Sequence, residues 1–178
     1  MNLVEKAEVF ATAAHAAVKH FRKYTHEPYI VHPAHVVDLV KQFAHTDEML
    51  AAAWLHDVVE DTGVELEEIR NQFGDAVANL VDDLTKVSKL EDGNRGVRKE
   101  LDRQRLAVAS ADAQTIKCCD IVSNMHSIVE HDKQFAQLFL NETILLLQVL
   151  TEADSRAIEM LEENLDAAIA EIDLIVGD

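Results

Sequence analysis

The 178-residue chain carries 33 acidic against 16 basic side chains, a formal charge of −17 with histidine neutral. That balance excludes a general binder of nucleic acid or of anionic membrane surfaces. Five glycines and two prolines beside 48% hydrophobic residues exclude a strand-rich, turn-rich fold, so the chain reads as all-α and as one domain over residues 1–178.

A first helix is predicted over residues 2–21, where Leu3, Ala7, Phe10, Ala14, Ala17 and Phe21 recur at helical spacing. Asn2 and Glu5 form a capping-box pair at its start. His15 lies beside the apolar stripe and reads as a buried, hydrogen-bonded histidine. His20, near the helix end, suits the negative pole of the dipole. Neither is a first choice as a metal ligand. The pattern then gives way to Arg22-Lys23-Tyr24-Thr25-His26-Glu27-Pro28-Tyr29-Ile30-Val31-His32-Pro33. The prolines favour extended backbone at Glu27 and His32, and Pro33 suits the first position of the next helix. His32 is therefore expected just before that helix, on a stiff backbone suited to a metal ligand. His35, one turn on, reads as a surface or supporting residue.

Val36, Val37, Val40 and Phe43 give this helix its apolar face. Thr46 or Asp47 caps the following one, which contains Met49, Leu50, Ala53 and Trp54 and runs into Leu55-His56-Asp57-Val58-Val59-Glu60-Asp61-Thr62. If that stretch is helical, Asp57 is a neighbour of both Glu60 and Asp61. Three carboxylates and an imidazole on one turn repel unless a cation or proton offsets them. Leu55, Val58 and Val59 keep the turn from being a simple solvated acidic face. It reads as half of a metal-dependent hydrolytic site. Gly63 breaks this helix. Leu66, Ile69 and Phe73 define a short helix with Gly74 as a left-handed cap, and Val77, Leu80, Val81 and Leu84 define another up to Thr85-Lys86.

Glu91 to Gly96 is the clearest loop. Seven basic residues fall between Lys86 and Arg105, with Glu91, Asp92, Glu100 and Asp102 among them. This run, including a helix from about Val97 to Ser110, reads first as a solvated, salt-bridged surface and second as a basic rim for a small polyanion. Over residues 112–129, Ile116, Cys119, Val122 and Met125 make a buried stripe, while Lys117, Asp120 and Asn124 form a polar strip. Asp120 is the natural fourth ligand. The adjacent Cys118 and Cys119 are poorly placed for a structural disulfide and fit a reducing cytoplasm. Two apolar-rich helices occupy residues 132–176. No apolar stretch is long enough to span a bilayer, and the N-terminus, with Glu5 and Glu8, lacks a signal-peptide pattern.

Taken in order, His32, His56-Asp57 and Asp120 resemble the ligand series of the HD-domain metal-dependent phosphohydrolases. Arg22-Lys23, Pro28-Tyr29-Ile30, His32-Pro33, His56 to Thr62, Phe73-Gly74, Thr85-Lys86 and Ile116-Lys117-x-x-Asp120-x-x-x-Asn124-Met125 are similar to the guanosine tetraphosphate hydrolase domain of the RelA/SpoT proteins. The resemblance runs to about residue 150, and small stand-alone members of the metazoan SpoT homologue type are of similar length. It implies an HD-type helical bundle with one manganese ion on His32, His56, Asp57 and Asp120; the mixed N/O donor set also suits Fe2+ or Zn2+. It further implies that Glu60 and Asp61 assist attack by water, and that Arg22, Lys23 and Asn124 contact the substrate. The reaction implied is hydrolysis of the 3′-pyrophosphate ester of guanosine tetra- or pentaphosphate, a small-molecule nucleotide. Three positions depart from the pattern: Glu27 replaces a usual glycine, and Ile121 and His126 replace common arginines. Fewer arginines admit another nucleotide such as NADPH as the alternative substrate. A non-catalytic nucleotide sensor is the competing class. Glu60 and Asp61 speak against it, because extra negative charge beside phosphates serves turnover and not binding. A scaffold role, suggested by the acidic C-terminal segment, is a third class that a solvated helix face explains equally well.

Overall fold

The computed structural model describes residues 1–176. Ten α-helices and a short 3-10 turn (Leu90–Asp92) follow one another among these residues. The helices are α1 (Leu3–Ala17), α2 (Val31–Val40), α3 (Asp47–Leu55), α4 (Val58–Asp61), α5 (Leu66–Phe73), α6 (Asp75–Leu84), α7 (Arg95–Ala107), α8 (Ala111–His131), α9 (Lys133–Leu147) and α10 (Ser155–Val176). No strand occurs among them, and extended pairing is limited to one bridge between Phe21 and Pro28. No helix among them is long and apolar enough to cross a membrane.

Small side chains set the central crossing. Ala51, Ala52 and Ala53 of α3 and Ala7 and Ala11 of α1 are fully buried, which lets the two helices pack closely. The long α8 packs on α2, α6, α9 and α10. Its stripe of Ile116, Cys119, Val122 and Met125 is buried as its spacing requires. Trp54 is also core.

Helix boundaries depart from the sequence reading in three places. The capping box of Asn2 and Glu5 is present, but α1 ends at Ala17, before Phe21. Lys19, at φ +54°, closes it in a left-handed turn: the His20 amide reaches the His15 carbonyl and the Lys19 amide reaches Ala16. The sequence offers no glycine to mark that stop, and Phe21 is 53% exposed. Second, α2 opens at Val31, so His32 lies inside its first turn and Pro33 is the third helical residue. The amide that Pro33 lacks belongs to a turn whose amides have no intrahelical partner, so proline is accommodated there. Third, α7 starts at Arg95, two residues early, because the Asn94 side chain accepts from the Val97 amide.

Gly74 both closes α5 and precedes α6, at φ +88° and ψ 171°, in a region open essentially to glycine alone. A Cβ there would meet no atom within 4 Å, so the cost of a side chain is backbone strain and not a clash. Gly74→Ala is expected to lower unfolding stability by about 1–3 kcal/mol, read as a shifted midpoint in urea at unchanged slope.

Candidate metal centre and cleft

Consecutive side chains on a regular α-helix diverge by about 100° and cannot both face one point. The chain meets this at His56-Asp57 by interrupting the helix: α3 stops at Leu55, Asp57 adopts φ −100° and ψ −4°, and α4 begins at Val58. Leu55 and Val58, both fully buried, pin the junction on either side. His56 Nε2 and Asp57 Oδ2 are consequently 3.0 Å apart. The turn is thus not one continuous helix, as its alanine-rich approach suggests.

Two further helices bring donors to this point. His32 Nε2, from α2, lies 3.3 Å from His56 Nε2, 3.6 Å from Asp57 Oδ2 and 3.1 Å from Asp120 Oδ1 of α8. Asp120 Oδ1 is 3.7 Å from His56 Nε2. The donor atoms of His32, His56 and Asp57 all lie within 4.8 Å of one another.

The lone pairs converge. His56 donates from Nδ1 to the Ala53 carbonyl at 2.8 Å, which leaves Nε2 as the lone-pair nitrogen of the neutral ring. His32 Nδ1 is 2.9 Å from Ser123 Oγ, and the same hydroxyl lies 3.0 Å from His35 Nδ1. Two imidazole nitrogens that face each other, each with carboxylate oxygens of Asp57 and Asp120 beside it, need a proton or a cation between them. Ligands about 2.1 Å from a common ion and at right angles are about 3 Å apart, so these separations suit a divalent cation. Without one the cluster holds a proton. Burial alone would lower the His56 pKa, but Asp57 and Asp120 overcome it and hold the ring well above the usual imidazole range. Burial keeps His32 below that range.

Outside groups brace both carboxylates. Lys117 donates to Asp120 Oδ2 at 2.7 Å, and Asn124 donates to Asp120 Oδ1 at 2.8 Å. The Arg22 guanidinium in turn donates to Asn124 Oδ1 at 3.0 Å. Tyr29 donates to Asp57 Oδ2 at 2.5 Å, and burial together with the Asp57 charge pushes its own pKa upward, so the hydroxyl stays protonated.

A cleft of about 240 Å³ opens beside Asp57 and Asp120. Its wall includes Lys86, Lys99, Arg103, Arg105 and Lys117, and its apolar part Leu106, Ile121, Phe139 and Leu146. The run from Lys86 to Arg105 is therefore not plain solvated surface. Lys99 and Arg103 sit one turn apart on α7, a spacing that looks the same in sequence whether the face meets water or a cleft. Each cation on the wall has an acidic partner: Lys86 with Glu60, Lys99 with Glu142, Arg103 with Glu100, Arg105 with Asp82 and Lys117 with Asp120.

The other sequence-predicted residues fall in different environments. Glu60 and Asp61 both line the cleft. Glu60 Oε1 accepts from the Lys86 amide at 2.7 Å and Oε2 from its ammonium at 2.5 Å. Asp61 Oδ2 is 3.9 Å from His20 Nδ1, and burial, then the Asp57 charge, raise its pKa. Asn124 lines the cleft, whereas Arg22 stands behind it. Lys23 does not line it; its side chain is 70% exposed and bonds to Asp132 and Tyr24. Ile121 lines the cleft, and His126 is exposed and does not. Sequence reasoning passed over Tyr29 and Ser123. Tyr29 stands three residues before His32 and Ser123 three after Asp120, one helical turn from a ligand position in each case.

Comparison with known proteins gives a consistent set. The HD domain profile matches residues 7–146. A probable guanosine-3′,5′-bis(diphosphate) 3′-pyrophosphohydrolase from Synechocystis sp. is 36% identical over 129 residues, which is 71% of this chain and 17% of that protein. The corresponding enzyme from Aquifex aeolicus is 39% identical over 88 residues, 49% of this chain and 12% of that one. A probable GTP pyrophosphokinase from Mycobacterium leprae is 33% identical over 130 residues, 72% and 16% of the two chains. The chain thus spans less than a fifth of each of these relatives. A solved structure of a metazoan SpoT orthologue, described as hydrolysing ppGpp and acting in starvation responses, superimposes with a TM-score of 0.82 over 94% of this chain and 96% of that one. At 23% identity it establishes a shared all-α fold.

Proposed function

This chain belongs to the HD domain family, and on that premise we propose that it hydrolyses the 3′-pyrophosphate ester of guanosine tetra- or pentaphosphate, releasing pyrophosphate and GDP or GTP. The observation that carries the reading is the meeting of His32, His56, Asp57 and Asp120 lone pairs at the edge of a cation-walled cleft. The sequence relatives named for this reaction support it.

In this reading the four residues hold one Mn2+ ion. Four protein ligands would close a tetrahedral zinc site but leave positions free on a six-coordinate ion. When bound, such an ion supplies Lewis acidity toward a phosphoryl oxygen and makes water more acidic. Asp61 is the group that orients the attacking water and takes its proton, since its carboxylate has no bond as close as the two Glu60 makes to Lys86. Lys117, Lys99 and Arg103 offset phosphate charge, and the apolar wall around Ile121 and Phe139 receives the base. Asn124 contacts the substrate from the cleft, with Arg22 orienting its amide. Lys23 reaches the substrate only by leaving Asp132. A cytoplasmic location is part of the reading. Cys118 and Cys119 are buried free thiols, and burial pushes the Cys118 pKa up to about 12, which leaves it inert.

The test is a nucleotide panel. Manganese-loaded protein is expected to release pyrophosphate from guanosine tetra- and pentaphosphate. Release of single phosphate from NADPH, with no pyrophosphate from the guanosine compounds, would make it a phosphatase. Binding without any product would make it a sensor.

A further inference from the structure

Tyr29 takes no part in the chemistry above, yet it is the one outside group among the described residues that bonds to the Asp57 carboxylate. Asp57 precedes α4 without making a side-chain cap bond, so the helix does not orient it. Asp120, by contrast, is held by both Lys117 and Asn124. The oxygen that Tyr29 grips, Oδ2, is the one that faces His56 and His32.

The tyrosine ring is itself fixed. His20 stacks on it with centroids 3.7 Å apart and planes 12° from parallel. His15, only 2% exposed, lies 4.7 Å from it at a tilt, and the Arg22 guanidinium is 5.8 Å from its centroid. His20 Nδ1 is held in turn, 3.2 Å from His15 Nδ1. The two stacked rings thus reach Asp57 at one end and Asp61 at the other, through His20 Nδ1. A ring serving only to fill space would need no hydroxyl. This one places its oxygen 2.5 Å from the carboxylate whose rotation decides whether the donor atoms converge.

We propose that Tyr29 is a positioning residue for the metal centre: its hydroxyl fixes which oxygen of Asp57 faces the divalent ion, and the His20 stack fixes the hydroxyl. The inference rests on the metal-binding part of the reading above and not on the identity of the substrate.

Tyr29→Phe keeps the ring, the stack and the volume and removes only the hydroxyl. Metal-stripped parent and variant are titrated with Mn2+, and the free ion is followed by electron paramagnetic resonance. The expected result is a dissociation constant about 10–100-fold weaker in the variant, the range for losing a group that orients a ligand, with helix content unchanged. His20→Ala, which keeps the hydroxyl and removes its support, is expected to weaken Mn2+ binding by less. Parent affinity in Tyr29→Phe overturns the proposal. So does a loss of helix content in that variant, which would assign Tyr29 to the fold. A parent that binds Mn2+ but leaves guanosine tetraphosphate intact overturns the substrate reading alone. A parent that binds no Mn2+ overturns both.

Discussion

Asp57→Ala is expected to give a folded protein that retains no Mn2+ and shows no measurable hydrolysis. The fold survives because the packing at this junction comes from Leu55 and Val58, both fully buried, and not from the carboxylate. The Asp57 side chain makes no cap bond to α4, and its removal takes one negative charge from a turn that also bears Glu60 and Asp61. The metal is lost because the vacated oxygen, 3.0 Å from His56 Nε2 and 3.6 Å from His32 Nε2, is one of two carboxylate donors against these rings, and the other, Asp120, already fills its own place 3.1 Å from His32 Nε2. Elemental analysis after dialysis against Mn2+ decides it, with circular dichroism as the check on helix content. Stoichiometric manganese in the variant would put the ion elsewhere.

Asp61→Asn should separate metal binding from turnover. The amide keeps the size and loses the basicity, so the ion is retained while kcat falls by roughly 10²–10⁴-fold, the usual contribution of a positioned base. Glu60→Gln should cost less, because both Glu60 oxygens already accept from Lys86. The pH profile carries the same information. Burial and the neighbouring Asp57 charge raise the Asp61 pKa above the usual carboxylate value. A base acts only when deprotonated, so parent turnover falls as the pH drops through that raised value, and this acid limb is absent from the residual rate of Asp61→Asn. Parent-level hydrolysis by Asp61→Asn would remove it from the mechanism, and equal losses from both variants would return the role to the pair.

Periodicity made the fold class legible. An apolar stripe with few glycines or prolines admits little besides packed helices, and the polar strip of Lys117, Asp120 and Asn124 stood out against the buried stripe of α8. The capping box at Asn2 was readable because it is a local hydrogen-bond pattern. Where α1 stops was not, because Lys19 takes the left-handed position that glycine usually announces. The order of His32, His56, Asp57 and Asp120 pointed to one site, but the kink that lets two adjacent residues face the same point is tertiary. Leu55 and Val58 impose it by burial. The cationic wall ranked behind a plain solvated surface for a similar reason. Only the tertiary fold brings residues of α6, α8 and α9 to the cleft that Lys99 and Arg103 of α7 also line.

The pairing of every cation on that wall with a resident carboxylate has a consequence for ionic strength and for product release. In the proposed reaction an arriving phosphate exchanges with a carboxylate and does not meet bare positive charge, so the net charge available for salt to screen is small. Dissolved monoanions, bringing no more charge than the side chain they would displace, gain little by entering. A chain of phosphates displaces several carboxylates in one event. If it is cut as proposed, each fragment competes with those same carboxylates for fewer contacts, and the closing of the internal ion pairs favours its departure.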